Sequence, residues 1–398
     1  MASFQKYTTK KGIRWMFTLD GGIDKQTGKR KQIKRRGFQT LDSAKQFARQ
    51  IENDLDVGKE VFHNQITFVE FSEQWIKIYE EERGVKPGTT RVRRHEIGNL
   101  NQYLGSLKMD DITWEIYQNM LYKLNERFSR RTLDGIHRTG RMIFKKAMQH
   151  DIIRKDPTEY AYLPKKAKTI EELEQEVALP KYMEKENLAR FLQTAKQNGL
   201  ELDFEIFLTL AYTGIRVGEL CALKSTDVTK REEFFLSISK TYYNPNNNIK
   251  KFQLVTPKTL SSRRTIDIDY IVYQALTKLI EENEFIRNEA GEEYYDDTFI
   301  FVNRGKYLGY PIYPKIVQQR MTRLLRIADL DDHLTPHSLR HTHASLLAEA
   351  GVSLERIMER LGHSEDKTTR QIYLHTTEPV RRKDAEKFGN LMKNITPF

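Results

Sequence analysis

The sequence predicts a multidomain α+β protein, and three observations carry that reading. Residues 1–60 alternate in short strand-like pieces before one helical stretch, residues 66–163 hold four amphipathic helical patterns, and residues 179–385 are mostly helical with alternating strands in their middle. A chain of 398 residues is long enough for two or three domains with separate cores.

Composition narrows the partners. Hydrophobic residues make up 38% and charged residues 30%, an ordinary balance for a soluble protein, while the formal charge of +11 points to a polyanion. That excess is local, because residues 1–50 hold thirteen Lys and Arg against three Asp. Cys221 is the only cysteine, which excludes an intrachain disulfide and a cysteine-based zinc site and fits a reducing cytoplasm. There is no leader-type apolar segment and no run near 18 apolar residues, so the expected location is the cytoplasm, with no membrane partner. The GxxxxGK[ST] loop, HExxH and clustered carboxylates are missing, so neither ATP, another cofactor nor a metal is expected.

In the first segment, IRWMFTLD and KQIKRRGF alternate around a turn at Asp24 to Gly28, and LDSAKQFARQIENDL has helical spacing. A small three-stranded sheet with one helix follows, with Trp15, Phe17 and Phe38 as packing residues. Lys29, Arg30, Lys31, Lys34, Arg35 and Arg36 then form a basic ribbon able to enter a major groove or lie along phosphates. A solvated lysine-rich surface is the alternative.

The second segment reads as helices in TFVEFSEQWIKIYEEE, TTRVRRHEIGNLNQYLG, TWEIYQNMLYKLNERF and RTLDGIHRTGRMIFKKAMQHDII, with Pro87 and Gly88 separating the first two. Basic charge gathers at Arg91, Arg93, Arg94, Lys145 and Lys146, whereas Trp114, Tyr117 and Tyr122 read as core. The charged stretch 164–178 is expected to be a linker. Beyond it FEIFLTLAYTG is an apolar helix closed by Gly214, EFFLSIS, FQLVTPK and RRTIDID form a small antiparallel sheet, and YIVYQALTKLIEE returns to helix. Cys221 reads as helix packing.

Chemistry concentrates between Leu334 and His375, which with His333 just before it holds six of the ten histidines. Thr335 can cap a helix opened by Pro336 and stopped at Gly351, so His337, Arg340 and His341 share a face near its N-terminus. A second helix runs from Ser353 to Gly362, leaving His363 on a turn, and a third starts near Ser364 and carries Tyr373. Breaking a phosphodiester without metal needs an in-line nucleophile, cationic donors on the non-bridging oxygens and an acid for the leaving group, and candidates for all three are present.

HSLRHT at 337–342, LGH at 361–363 and Tyr373 ten residues beyond His363 resemble the C-terminal signature of the tyrosine recombinases, the lambda-integrase family. TGIRVGEL at 213–220 resembles that family's first arginine box, and TPKTLSSRRTI at 256–266 its lysine hairpin. The resemblance implies an arm-type DNA-binding domain over 1–60, a helical core-binding domain over 66–163, a catalytic domain over 179–385 and a tail over 386–398. It implies Tyr373 as nucleophile forming a 3′-phosphotyrosine and freeing a 5′ hydroxyl, Arg216 and Arg340 as phosphate clamp, and Lys258 as general acid. His337 donates to the phosphate or accepts the phenolic proton, His363 donates to a non-bridging oxygen, and Glu219 supports Arg216 without reacting. His341 and His343 read as structural rather than as zinc ligands, and His375 stays unassigned.

The implied partners are double-stranded DNA attachment sites, three further copies in a tetramer linked by a tail helix at 380–391, a DNA-bending host protein and an excision factor. The implied activity is integration and excision of a phage or other mobile element. A chromosome-resolving recombinase or a type IB topoisomerase-like enzyme would share the chemistry, and a non-catalytic regulator would keep only the basic domains. The basic N-terminal segment favours an integrase. Removing residues 1–60 is expected to weaken binding to distant sites more than adduct formation on a core site; filter binding beside a denaturing gel compares the two, and equal losses refute a separate arm domain.

Overall fold

Strand alternation builds the first element group. The computed structural model describes residues 2–9, 12–23, 30–56, 66–164, 182–256, 263–362 and 367–376, in two compact units, Met1–Ala167 and Lys168–Phe398. Strands β1 (Ser3–Thr9), β2 (Gly12–Ile23) and β3 (Arg30–Phe38) form an antiparallel sheet in chain order, with Phe4 opposite Phe17 and Leu19 opposite Ile33. Phe17, Leu19 and Ile33 bury against Ala44, Ala48 and Ile51 of helix α1 (Leu41–Asp56). With side chains alternating across the pleat, Lys34 and Arg36 leave the face that Ile33 and Arg35 share; both are exposed and Arg35 is half-buried. Lys29 and the side chains of Arg30 and Lys31 lie outside the described residues.

Four helices follow: α2 (Phe68–Arg83), α3 (Pro87–Leu104), α4 (Trp114–Arg127) and α5 (Arg130–Gln149). Each start has a local cause. Thr67 and Glu70 form a reciprocal capping box on α2, Pro87 opens α3, and the side chains of Thr113 and Ser129 cap α4 and α5. Phe68, Phe71, Trp75, Leu100, Tyr117, Leu121, Ile136 and Phe144 form their shared core. The last helix stops earlier than the pattern predicts, because Asp151 turns the chain with φ +52, although Ile152 and Ile153 remain buried. Tyr117 is core, as expected, but Trp114 and Tyr122 are 40% and 41% exposed, since they stand on the outer side of α4. Tyr122 instead meets Tyr162, whose backbone is held by the buried Gln118 amide.

The second unit contains α6 (Lys185–Asn198), α7 (Asp203–Thr213), the single turn α8 (Val217–Leu220), α9 (Tyr270–Ala290), α10 (Pro314–Ile327), α11 (Pro336–Glu349), α12 (Leu354–Leu361) and α13 (Lys367–Thr376). Helix α7 is mostly apolar and lies in the main core with Phe191, Leu276, Met321 and Leu339. Strands β4 (Val228–Lys230), β5 (Phe234–Ile238) and β8 (Arg264–Asp267) form one antiparallel sheet. The strand expected in FQLVTPK does not join it. As β7 (Gln253–Val255) it pairs with β6 (Thr241–Tyr243), the nearer strand-forming run, where Phe252 stacks on Tyr242 at 5.1 Å.

Gly140 on α5 packs closely against α4, since a Cβ there would collide with the Tyr117 hydroxyl, itself 3.1 Å from His137 Nδ1. Gly140→Ala is therefore expected to destabilise this helical group by about 1–3 kcal/mol through overpacking, despite a gain in helix propensity of roughly 1 kcal/mol. Gly98→Ala, with open space at its Cβ, should be neutral or stabilising. Calorimetry of the full chain checks both, and equal behaviour of the two variants would rule out the contact as the cause.

Candidate active site

Buried donors and acceptors join two turns. Helix α7 ends because Gly214 takes φ +64, and a Cβ there would strike His343 and Leu361. Three carbonyls at this end have no helical partner and are met by side chains from other elements. Ala211 O lies 2.9 Å from His343 Nδ1, Tyr212 O accepts from Arg360 at 3.4 Å, and Gly214 O accepts from Arg340 Nη1 at 2.7 Å. Arg340 is 1% exposed, and its other terminal nitrogen donates to Leu361 O, so one guanidinium spans the turns that precede Arg216 and His363.

Arg216 is the N-cap of α8, in extended conformation. Its backbone N–H donates to Glu219 Oε2 at 2.9 Å and its Nη1 to Oε1 at 2.8 Å, while the guanidinium side chain stays 35% exposed. The Glu219 side chain is 1% exposed. Burial acts to raise its carboxyl, but the charges and hydrogen bonds of Arg264 and Arg216 outweigh that and hold it below the usual carboxylate range. Arg264, at the start of β8, approaches the same carboxylate with Nη2 at 3.0 Å and Nη1 at 3.4 Å, and its Nε donates to Arg360 O at 2.7 Å.

Helix α11 begins as its sequence predicts, with Pro336 in the first turn and Thr335 paired to Ser338. His337 is exposed in that turn and its ring meets His341 edge-on at 4.6 Å. His343 is buried on another side. With Nδ1 donating to Ala211 O, its Nε2 is the acceptor for Arg360 Nε at 3.1 Å, which uses both ring nitrogens and leaves none for a metal. Burial first, and the Arg360 charge second, push the His343 imidazole down to about 3.

Tyr373 sits on α13, which packs on α11 and α12; Thr369 and Ile372 are buried, and Tyr373 is half-buried against the cluster of Ala344, Ala348, Ile357 and Leu361. Of the six expected reactive positions, Arg216, His337, Arg340 and Tyr373 are described, while Lys258 and His363 lie outside the described residues, as do the side chain of His375 and the tail at 380–391. Lys258 falls between the end of β7 and the start of β8, and His363 follows Gly362, which has φ +69.

Among the expected DNA contacts, Arg91 is exposed, whereas Arg94 also faces Glu73 at 3.7 Å and Glu80 at 3.5 Å. Arg93 is drawn inward: it bonds Glu96 at 2.6 Å and Thr139 at 2.7 Å, because the buried Glu96 needs a cation. Lys146 similarly pairs with Glu82 at 2.6 Å. Sequence reading missed Arg360 and gave Arg264 no part in the site. The signal was available for Arg264, since strand period places it on the face of the buried Ile266. One further group, Asp331, Asp332 and His333, clusters ligand-type atoms within 4.8 Å, but it is held together by Arg326 and His333 contacts to Asp332 of 2.8 and 2.9 Å.

Three regions match family models: the arm DNA-binding domain over residues 3–55, the N-terminal SAM-like domain of phage integrases over 67–125, and the phage integrase family over 181–379. The integrase of Staphylococcus phage L54a is 28% identical over 340 residues, covering 82% of this chain and 94% of that protein. A solved structure of the Tn1549 transposon integrase in complex with transposon right end DNA is similar with a TM-score of 0.62 at 22% identity, covering 81% of this chain and 100% of that one. A lambda integrase tetramer bound to a Holliday junction gives 0.52 at 18% identity, with 92% and 94% covered. The fold and the motif positions define a chain of the integrase kind with an arm DNA-binding domain. It belongs to the phage integrase family. Among the described residues no helix is long and apolar enough to cross a membrane.

Since His343 is neutral in the fold with its pKa pushed down to about 3, its contribution to stability is complete above the unfolded value of roughly 6.5 and is lost as pH falls from there. Between those limits the unfolded chain binds a proton that the folded chain refuses, at about 1.4 kcal/mol per pH unit. Urea unfolding between pH 7.5 and 4.5 should show this slope, and His343→Gln should flatten it; an unchanged slope in the variant would assign the loss to other groups.

Proposed function

We propose that this protein is a site-specific recombinase that cleaves and rejoins DNA through a 3′-phosphotyrosine, integrating and excising a mobile element. The observation that carries the reading is Arg340. Buried at 1% exposure on the helix that Pro336 opens and that also carries His337, it bonds the carbonyls of Gly214 and Leu361 and so ties the turn before Arg216 to the end of α12.

The chemistry follows from those groups. The Tyr373 oxygen forms a bond to phosphorus as the bond from phosphorus to the 5′ oxygen breaks, and the ester preserves the energy of the broken linkage for rejoining. Arg216 and Arg340 stabilise the charge on the non-bridging oxygens, where fixed guanidinium forks suit paired acceptors. His337 takes the phenolic proton or donates to the phosphate, His363 donates to a non-bridging oxygen, and Lys258 gives the leaving 5′ oxygen its proton. Rejoining reverses the transfers with a different 5′ hydroxyl as attacker. No external energy source is needed.

The arm-model match over 3–55 and exposed Lys34 and Arg36 support a domain over 1–60 that grips sites distant from the crossover. Residues 66–163 would grip the core site through Arg91 and Arg94, followed by a linker over 164–178, the catalytic domain over 179–385 and the tail over 386–398. The lambda integrase tetramer on a Holliday junction supports a tetramer on paired attachment sites. A host bending protein, an excision factor and a bacterial cytoplasmic setting complete the proposal.

A nicked suicide duplex carrying the cognate site, incubated in EDTA with wild type and Tyr373→Phe, tests the chemistry on a denaturing gel. Wild type should form a covalent adduct and the variant none, with both retaining site binding; an adduct from Tyr373→Phe would remove Tyr373 as nucleophile.

A further inference from the structure

Arg264 is the more deeply buried of the two guanidinium groups on Glu219, yet it has no part in the roles assigned so far. Its side chain is 6% exposed against 35% for Arg216, and it approaches both carboxylate oxygens while Arg216 uses one guanidinium nitrogen on one of them. Its Nε bond to Arg360 O, one residue before Leu361, fixes the plane of this fork. A carboxylate buried to 1% exposure must be balanced by a cation. Were Arg216 the sole partner, the pair would be neutral and the charge of Arg216 largely consumed. With Arg264 present, two guanidinium groups share one carboxylate and the trio carries a net positive charge on its solvent-facing member.

We infer that Arg264 is a positioning residue for cleavage: it takes up the negative charge of Glu219 and so leaves the Arg216 guanidinium electrostatically available to the scissile phosphate. The inference rests on the proposed function and adds a division of labour within it. Glu219 orients Arg216 through two bonds, and Arg264 cancels the electrostatic penalty of that orientation. Charge separations near 3 Å remain strong at the effective dielectric of a protein site, so the cancellation bears directly on how much positive potential meets the phosphate.

The test is single-turnover adduct formation on the suicide substrate by the full-length protein, with core-site affinity and unfolding temperature measured in parallel. Arg264→Met should slow adduct formation roughly 10- to 100-fold while changing core-site affinity less than about threefold. Adding Glu219→Gln to Arg264→Met should recover about tenfold or more, because an amide orients Arg216 without neutralising it. A residue acting only as a bridge between Glu219 and Arg360 gives no such rescue. Adduct formation by Arg264→Met at the wild-type rate, or a double variant no faster than the single one, overturns the inference. Should Arg264→Met fail to fold, Arg264→Lys decides: retention of charge should keep the rate within about fivefold of wild type, and a loss near a hundredfold overturns the inference. Absence of adduct from wild type itself would instead refute the proposed function.

Discussion

A guanidinium cannot be buried without acceptors, and Arg340 at 1% exposure finds two of them in backbone carbonyls, Gly214 and Leu361. The arrangement of the site depends on that requirement. The left-handed Gly214 ends α7, and any Cβ there would displace His343 and Leu361, so the close approach of the two turns needs this residue. Arg360 adds a further bond between the same two segments, and Arg264 reaches from β8 to Glu219 of α8 and to Arg360 O, which makes the contact a cooperative patch rather than a single link.

Much of this was legible in the sequence, and the failures have physical causes. Helix starts were readable where a capping residue or proline marks them, as at Thr335 with Pro336 and after Ser353. The contact between Glu219 and Arg216 followed from three-residue spacing at the start of a turn. The pairing of β7 was not legible, because three short strands of similar alternation carry no information about which edges meet. Arg93, Arg264 and Arg360 were misread or missed since composition counts a cation without showing whether a buried carboxylate or carbonyl lies across from it. Trp114 and Tyr122 failed for the complementary reason: an aromatic side chain on α4 reads as core until the neighbouring helices define which side faces them.

Charge is used differently in the two units. In the sheet, alternation alone directs Lys34 and Arg36 outward from a small apolar layer, and their positive field is directed at solvent. In the second unit the cations that matter most structurally face inward and are matched to carbonyls and one carboxylate. Net charge therefore describes the surface of the sheet well and the reactive region poorly.

The end of α7 distributes vulnerability unequally. Its contacts to His343, Arg360 and Arg340 are all accepted by main-chain oxygens of Ala211, Tyr212 and Gly214. Main-chain oxygens are the same whatever residue bears them. Substitution can reach this junction through the donor side, through packing at the buried Ala211 or through the shape of the turn, whereas a change at the exposed Tyr212 leaves its acceptor intact. Half of the junction is thus encoded in the helix geometry itself.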